Sequence, residues 1–120
     1  MYDDQRLRPS ERLRRAREYQ HVFQYGKKLV SPLFVVYILP SSESFSRLGM
    51  AVSKRVGKAV VRNRVKRLIR ELFRRHKNFF KLPCDVVFVA RHRAAEASLG
   101  DYTRQFLMLL SRYQQPKRDA

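Results

Sequence analysis

The chain of 120 residues has no tryptophan, one cysteine and four glycines, and sets ten acids against 27 lysines and arginines. Each shortage excludes something. One cysteine, Cys84, cannot form an internal disulfide, and a reducing cytoplasm is its natural home. Gly49 and Gly57 stand alone, so there is no glycine-rich phosphate loop. The longest apolar run, Leu33 to Leu39, is seven residues, far short of a membrane span. The opening MYDDQRLRPSERL lacks the apolar stretch of a secretory signal, and no membrane partner is expected. His21, His76 and His92 are far apart, and none stands near Cys84 in a zinc spacing. The acids are dispersed, whereas a two-metal nuclease needs several carboxylates converging on ions roughly 4 Å apart. Glu71 and Asp85 are the pair that a fold could bring together. The simpler expectation is that Glu71 pairs with neighbouring arginines and Asp85 starts a strand. No catalytic residue and no protein-bound metal or cofactor is expected.

What is present is charge and an apolar fraction to fold around. The formal net charge is +17, and 44% of residues are hydrophobic, too many for a disordered basic tail. The length suits one domain with a modest core. Nucleic acid is the first partner class, an anionic membrane surface the second and acidic proteins the third. The charge is concentrated. From Lys54 to Arg75 there are ten basic residues and one acid. On a helix from about Val60, Val61, Val65, Leu68, Ile69, Leu72 and Phe73 share one arc. Asn63, Lys66, Arg67, Arg70 and Arg74 share the opposite arc, with Arg62 and Arg64 at the seams. A solvated helix usually interleaves Glu with Lys; this one accepts like-charge repulsion along its face. A polyanion offsets that cost.

The pattern predicts a first helix over about Arg14 to Tyr25, closed by Gly26 as its C′ residue. Leu29 to Leu39 reads as a strand, with Phe34, Val36 and Ile38 on one face and Val35, Tyr37 and Leu39 on the other. Residues 40 to 46 form a turn, and Arg47 to Ser53 the second strand of a hairpin. The basic helix runs from about Val60 to His76, with Gly57 turning into it. Asp85 to Ala90, almost wholly apolar, is a central strand. Asp101 to Tyr113 closes the chain as a helix with Tyr102, Phe106, Leu109, Leu110 and Tyr113 inward. The order helix, strand, strand, helix, strand, helix is an α+β fold, an α/β sandwich with a small mixed sheet taken as four-stranded. Residues 1 to 12 read as a flexible basic arm, 13 to 114 as one RNA-binding domain and 115 to 120 as a tail. Fourteen Phe and Tyr in so small a chain leave some exposed, and aromatics on a sheet beside a basic helix form a platform for unpaired bases.

The stretch Val52 to Arg74, with Arg62, Asn63 and Arg64 followed by Lys66, Arg67, Leu68, Ile69 and Arg70, closely resembles the protein subunit of bacterial ribonuclease P. Ser53, Lys54 and the turn Gly57 to Ala59 match as well. So do Arg12 to Leu29, Phe34 to Tyr37, Arg47 to Ser53 and Cys84 to Arg91. The resemblance covers about residues 12 to 113. It implies an α/β sandwich with a left-handed crossover, where parallel strands otherwise cross over right-handed. It implies that catalysis belongs to a large RNA subunit, with Mg²⁺ held by RNA and substrate.

On that resemblance Lys54, Arg55, Lys58, Arg62, Asn63, Arg64, Lys66, Arg67 and Arg70 contact the catalytic RNA. Tyr19, Phe23, Val35 and Tyr37 line a cleft for the 5′ leader of precursor tRNA. Of the two helix aromatics Tyr19 is placed in the cleft ahead of Phe23, because a hydroxyl is easily kept wet. Ala16, near the helix start, does not cap. The function implied is a monomeric, cytoplasmic protein component that binds ribonuclease P RNA and precursor tRNA and assists removal of the leader. The alternative is a ribosomal-protein-like RNA binder without a catalytic partner. A DNA regulator is disfavoured, because strands rather than a helix-turn-helix partner flank the basic helix.

Overall fold

The computed structural model describes residues 8 to 114. A single 3₁₀ turn, Pro9–Glu11, precedes α1 (Ala16–Tyr25), β1 (Lys27–Val30), β2 (Phe34–Pro40) and β3 (Arg47–Ala51). Then come α2 (Ala59–His76), β4 (Cys84–Ala90) and α3 (Leu99–Gln114), with short 3₁₀ turns at Lys77–Phe79 and His92–Ala95. The strands form one sheet in the order β1-β2-β4-β3.

The expected mixed, four-stranded sheet with helices is found, but its strands are dealt differently. The single strand expected over 29 to 39 is two. Pro32 has no N–H to give a ladder, and Ser31 folds back on Phe34, its N–H donating to the Phe34 carbonyl at 3.0 Å. The hairpin is therefore β1 with β2, Lys27 opposite Ile38. β2 and β3 are not partners, as the sequence had suggested. β4 lies between them, antiparallel to β2 and parallel to β3. β4 is buried along nearly its whole length. So apolar a strand is best placed with neighbours on both sides, which leaves the shorter β3 at the edge.

The alternation of β2 sorts the layers as read. Phe34, Val36 and Ile38 join Val86, Phe88, Ile69, Leu72, Phe73 and Phe106 in the main core against α2 and α3. The other face carries Val87 with Val22 of α1 and Leu13, flanked by Tyr19, Tyr37, Leu39 and Val89. Among the described residues α1 is the one α-helix on this face of the sheet.

Three boundaries differ from expectation. Gly26 ends α1 in extended backbone, φ −75° and ψ 156°, not in the left-handed cap. α3 starts earlier, because Ser98 and Asp101 form a reciprocal box: each backbone N–H donates to the other's side chain, at 3.0 and 3.1 Å. Residues 9 to 12, read as part of an arm, are folded onto the domain. Buried Glu11 holds Lys77 at 2.6 Å, and Arg12 bridges Leu48 on the free edge of β3. Residues 1 to 7 and 115 to 120 lie outside the described residues.

Candidate nucleic-acid interface

The basic helix is anchored as its periodicity required. Val65, Ile69, Leu72 and Phe73 are fully buried, and Val61 and Leu68 pack partly against the core. Gly57, at φ +156°, turns the chain into the helix; a Cβ there would meet Val61 Cβ at 2.9 Å. Val56, buried, pins the approach loop, which leaves Lys54, Arg55 and Lys58 exposed. Asn63 and Arg67 are exposed, and Lys66 and Arg70 are half-buried.

The cations do not all do the same thing. Arg62 Nε donates to the Gly57 carbonyl at 3.2 Å and so ties loop to helix. Arg64 reaches the turn before α3, donating to the carbonyls of Ala95 at 2.9 Å and Ala97 at 3.1 Å. Both are therefore also structural braces. Glu71 takes Arg74 and Arg75, which holds its carboxyl below the usual range. Lys54, Arg55, Lys58, Asn63, Lys66, Arg67 and Arg70 have no side-chain hydrogen bond or ion pair among the described residues. They form a surface of uncommitted charge fixed to a rigid helix and its loop.

Beside it, α1 crosses β2 and makes a groove. Phe23 packs edge-on against Tyr37 with ring centroids 4.9 Å apart, and Tyr19 lies 6.4 Å from Phe23. Val35 is on the same face of β2 as Tyr37 and is half-buried. The two helix aromatics differ in exposure and in bonding. Phe23 is 39% exposed. The Tyr19 hydroxyl is committed, donating to the Leu13 carbonyl at 3.4 Å and accepting from the Met50 N–H at 3.1 Å. Its ring lies close against Gly49, where any Cβ would sit 2.9 Å from two ring carbons. Tyr19 is the wall of the groove and Phe23 its open edge.

α1 is held in place by charges the sequence reading did not connect. Glu18, three residues into the helix, accepts from the backbone N–H of Arg14 at 3.0 Å and Arg15 at 2.9 Å. It supplies the cap that Ala16 does not. Those N–H bonds, with the Arg47 charge, keep its carboxyl below the ordinary range. Its other oxygen takes Arg47 Nη1 at 3.1 Å, and Arg47 grips Asp85 with two bonds of 2.9 and 2.8 Å. An acid at the third helical position was the legible half of this signal; the long-range partner was not. Glu71 and Asp85 are each engaged by arginine. Cys84 is buried, its thiol raised by desolvation, and His76 Nδ1 is bonded to the Leu72 carbonyl at 2.8 Å. Among the described residues no three His, Cys, Asp or Glu gather to hold a metal ion, and no helix is long and apolar enough to cross a membrane.

A family profile described as Ribonuclease P matches residues 7 to 114. The chain belongs to the ribonuclease P protein family. Among its relatives, the ribonuclease P protein component of Syntrophus aciditrophicus is 40% identical over 106 residues, 88% of this chain and 89% of that one. That of Desulfovibrio desulfuricans is 45% identical over 101 residues, 82% and 77% of the two chains. The Staphylococcus aureus RNase P protein structure superposes with a TM-score of 0.78 at 30% identity, covering 87% of this chain and 95% of that one. The Thermotoga maritima RNase P protein gives 0.75 at 34% identity, covering 88% and 99%. The chain is a ribonuclease P protein component, part of the endoribonuclease holoenzyme that matures the tRNA 5′ end, and works with ribonuclease P RNA. The ribosomal-protein-like alternative falls away.

Proposed function

We propose that the chain binds ribonuclease P RNA through the α2 face and its approach loop, and the 5′ leader of precursor tRNA in the groove between α1 and β2. The RNA face comprises Lys54, Arg55, Lys58, Asn63, Lys66, Arg67 and Arg70, with Arg62 and Arg64 contributing through whatever surface their bracing bonds leave. Phosphate contacts of this kind carry no sequence code. The leader groove uses the exposed edge of Phe23 with Tyr37 and Val35, against the fixed wall of Tyr19. Stacking on such rings tolerates any base, as a leader of arbitrary sequence requires. One observation carries the reading: a half-exposed aromatic pair opens beside a helix on which, among the described residues, Lys66, Arg67 and Arg70 have no side-chain hydrogen bond or ion pair.

On this reading the protein's share of the chemistry is electrostatic. It lowers repulsion between two RNA polyanions and so the demand for divalent cation, while Mg²⁺ stays with RNA and substrate. The protein acts as a monomer in the holoenzyme, in the cytoplasm, where its lone buried thiol stays reduced. The test is reconstitution with a ribonuclease P RNA and a precursor tRNA at low Mg²⁺. The expected result is 5′ cleavage that needs both RNA and protein. Cleavage by protein freed of RNA, or no stimulation by the protein, overturns the reading.

A further inference from the structure

Residues 12 and 13 run along the free edge of β3. Arg12 forms a parallel bridge with Leu48, and the Leu13 N–H donates to the Leu48 carbonyl at 2.9 Å. Side chains alternate along such a segment. Leu13 turns into the small core under α1, and Arg12 is exposed on the side toward α2. There a pocket of about 70 Å³ is lined by Arg12 and Arg70, with Tyr19 and Met50 among its walls. It lies where the aromatic groove meets the basic helix.

Arg70 is partly desolvated, and the charges of Arg12 and Arg67 press on it as well; together these lower its basicity. Three guanidiniums thus crowd one corner, and none has a side-chain hydrogen bond or ion pair among the described residues. The acids that might relieve them are used: Glu18 and Asp85 by Arg47, Glu11 by Lys77, Glu71 by Arg74 and Arg75. Two arginines across a small pocket offer planar donors matched to phosphate oxygens. Wherever such a corner is left without a counter-charge, a bound anion removes the repulsion.

We infer that Arg12 and Arg70 together seat one RNA backbone phosphate at the junction between the leader groove and the α2 face. Arg12 thereby becomes an RNA-binding residue contributed from outside both the basic helix and the aromatic groove. The inference rests on the RNA-binding reading above. The phosphate belongs either to the RNA subunit or to the leader that has just left the aromatic groove.

The experiment compares the wild type with Arg12→Gln, Arg70→Gln and the double variant, each checked for native circular dichroism and thermal unfolding. One arm measures binding to ribonuclease P RNA alone across a salt series. The other measures affinity of the assembled holoenzyme for precursor and for mature tRNA. Each single change should weaken binding about tenfold in one arm, with the log–log salt slope lower by about 0.7–0.9. The double variant should be little worse than the weaker single, because both residues hold one group. Loss in the first arm assigns the phosphate to the RNA subunit; loss confined to precursor tRNA assigns it to the leader. Fully additive losses overturn the shared seat. So does unchanged binding in both arms while Lys66→Gln still weakens RNA binding and Phe23→Ala still weakens precursor binding. If those two controls are silent too, the RNA-binding reading has failed and the seat fails with it.

Discussion

Phe23 and Tyr19 are one helical turn apart, yet truncating them should have opposite signatures. A fully buried Phe gains about 1.5–3 kcal/mol by leaving water. Phe23 is 39% exposed, so roughly three-fifths of that gain, about 1–2 kcal/mol, is at stake in Phe23→Ala. The edge contact with Tyr37 at 4.9 Å adds about 0.5–1.5 kcal/mol. The stability cost should thus be about 2–3 kcal/mol, below the roughly 3–5 kcal/mol of a core Phe→Ala change. If Phe23 also stacks on a leader base, the variant should lose about 1–3 kcal/mol of precursor affinity, about five- to 150-fold. Mature tRNA, with no leader, should bind as before.

The assay is the ratio of precursor to mature tRNA affinity in the reconstituted holoenzyme, with folding checked by thermal melts. Tyr19→Phe is the companion. It keeps the ring and removes a hydroxyl bonded on both sides, so it should cost about 1–2 kcal/mol of stability and leave the ratio nearly unchanged. A folded Phe23→Ala protein whose ratio equals that of the wild type refutes the groove as the leader site. A Tyr19→Phe protein that melts like the wild type but loses the ratio refutes the assignment of Tyr19 as a wall.

Arg64→Ala should lower stability by about 2 kcal/mol, because it strips two charge-assisted bonds from the turn before α3, whereas Arg67→Ala should melt no lower than the wild type and weaken RNA binding with a shallower salt slope. Arg47→Met should cost about 3 kcal/mol in urea unfolding by leaving Asp85 buried and uncompensated, and Asp85→Asn in that background should recover part of it. The Glu18 carboxyl is depressed below its ordinary 4.5, so the stability it contributes is present above that value and lost as pH falls through its lower folded value. Urea midpoints should fall below about pH 4.5, and Glu18→Gln should shallow that fall; an identical pH profile in the variant counts against the cap.

Local pattern made the helices and the buried strand legible. α2 was readable because its apolar period of 3.6 and its charge agree, and β4 because it is apolar without a break. The β1–β2 hairpin was hidden, since only Ser31 and Pro32 separate Leu29 and Val30 from the apolar run that starts at Leu33, too short a break to read as a turn. The partnering of β2 and β3 with β4 is a long-range choice, set by which strand most needs two covered edges. No window of neighbouring residues contains that comparison.

In the site, the sequence shows charge but not commitment. Arg64 and Arg67 look alike in a helical repeat, yet Arg64 is bonded to carbonyls 31 and 33 residues away while Arg67 points to solvent. Tyr19 and Phe23 look alike as well, and what separates them is Gly49 on β3. Only a residue without a side chain lets the Tyr19 ring lie on β3 and bond Met50.

The few acids explain how the remaining charge comes to be available. Arg47, Lys77, Arg74 and Arg75 absorb Glu18, Asp85, Glu11 and Glu71. None of these acids is left to pair with Lys66, Arg67 or Arg70. The resulting repulsion along α2 costs stability, and the burial of Val65, Ile69, Leu72 and Phe73 offsets it. Because the backbone that carries these cations is already fixed by the core, a polyanion has only their side chains to order, and the backbone adds no further cost. An acid introduced among these cations, as in Lys66→Glu, should therefore weaken binding to ribonuclease P RNA while raising the melting temperature of the free protein. A variant that lowers both would show that the helix face is not under the like-charge tension on which this argument depends.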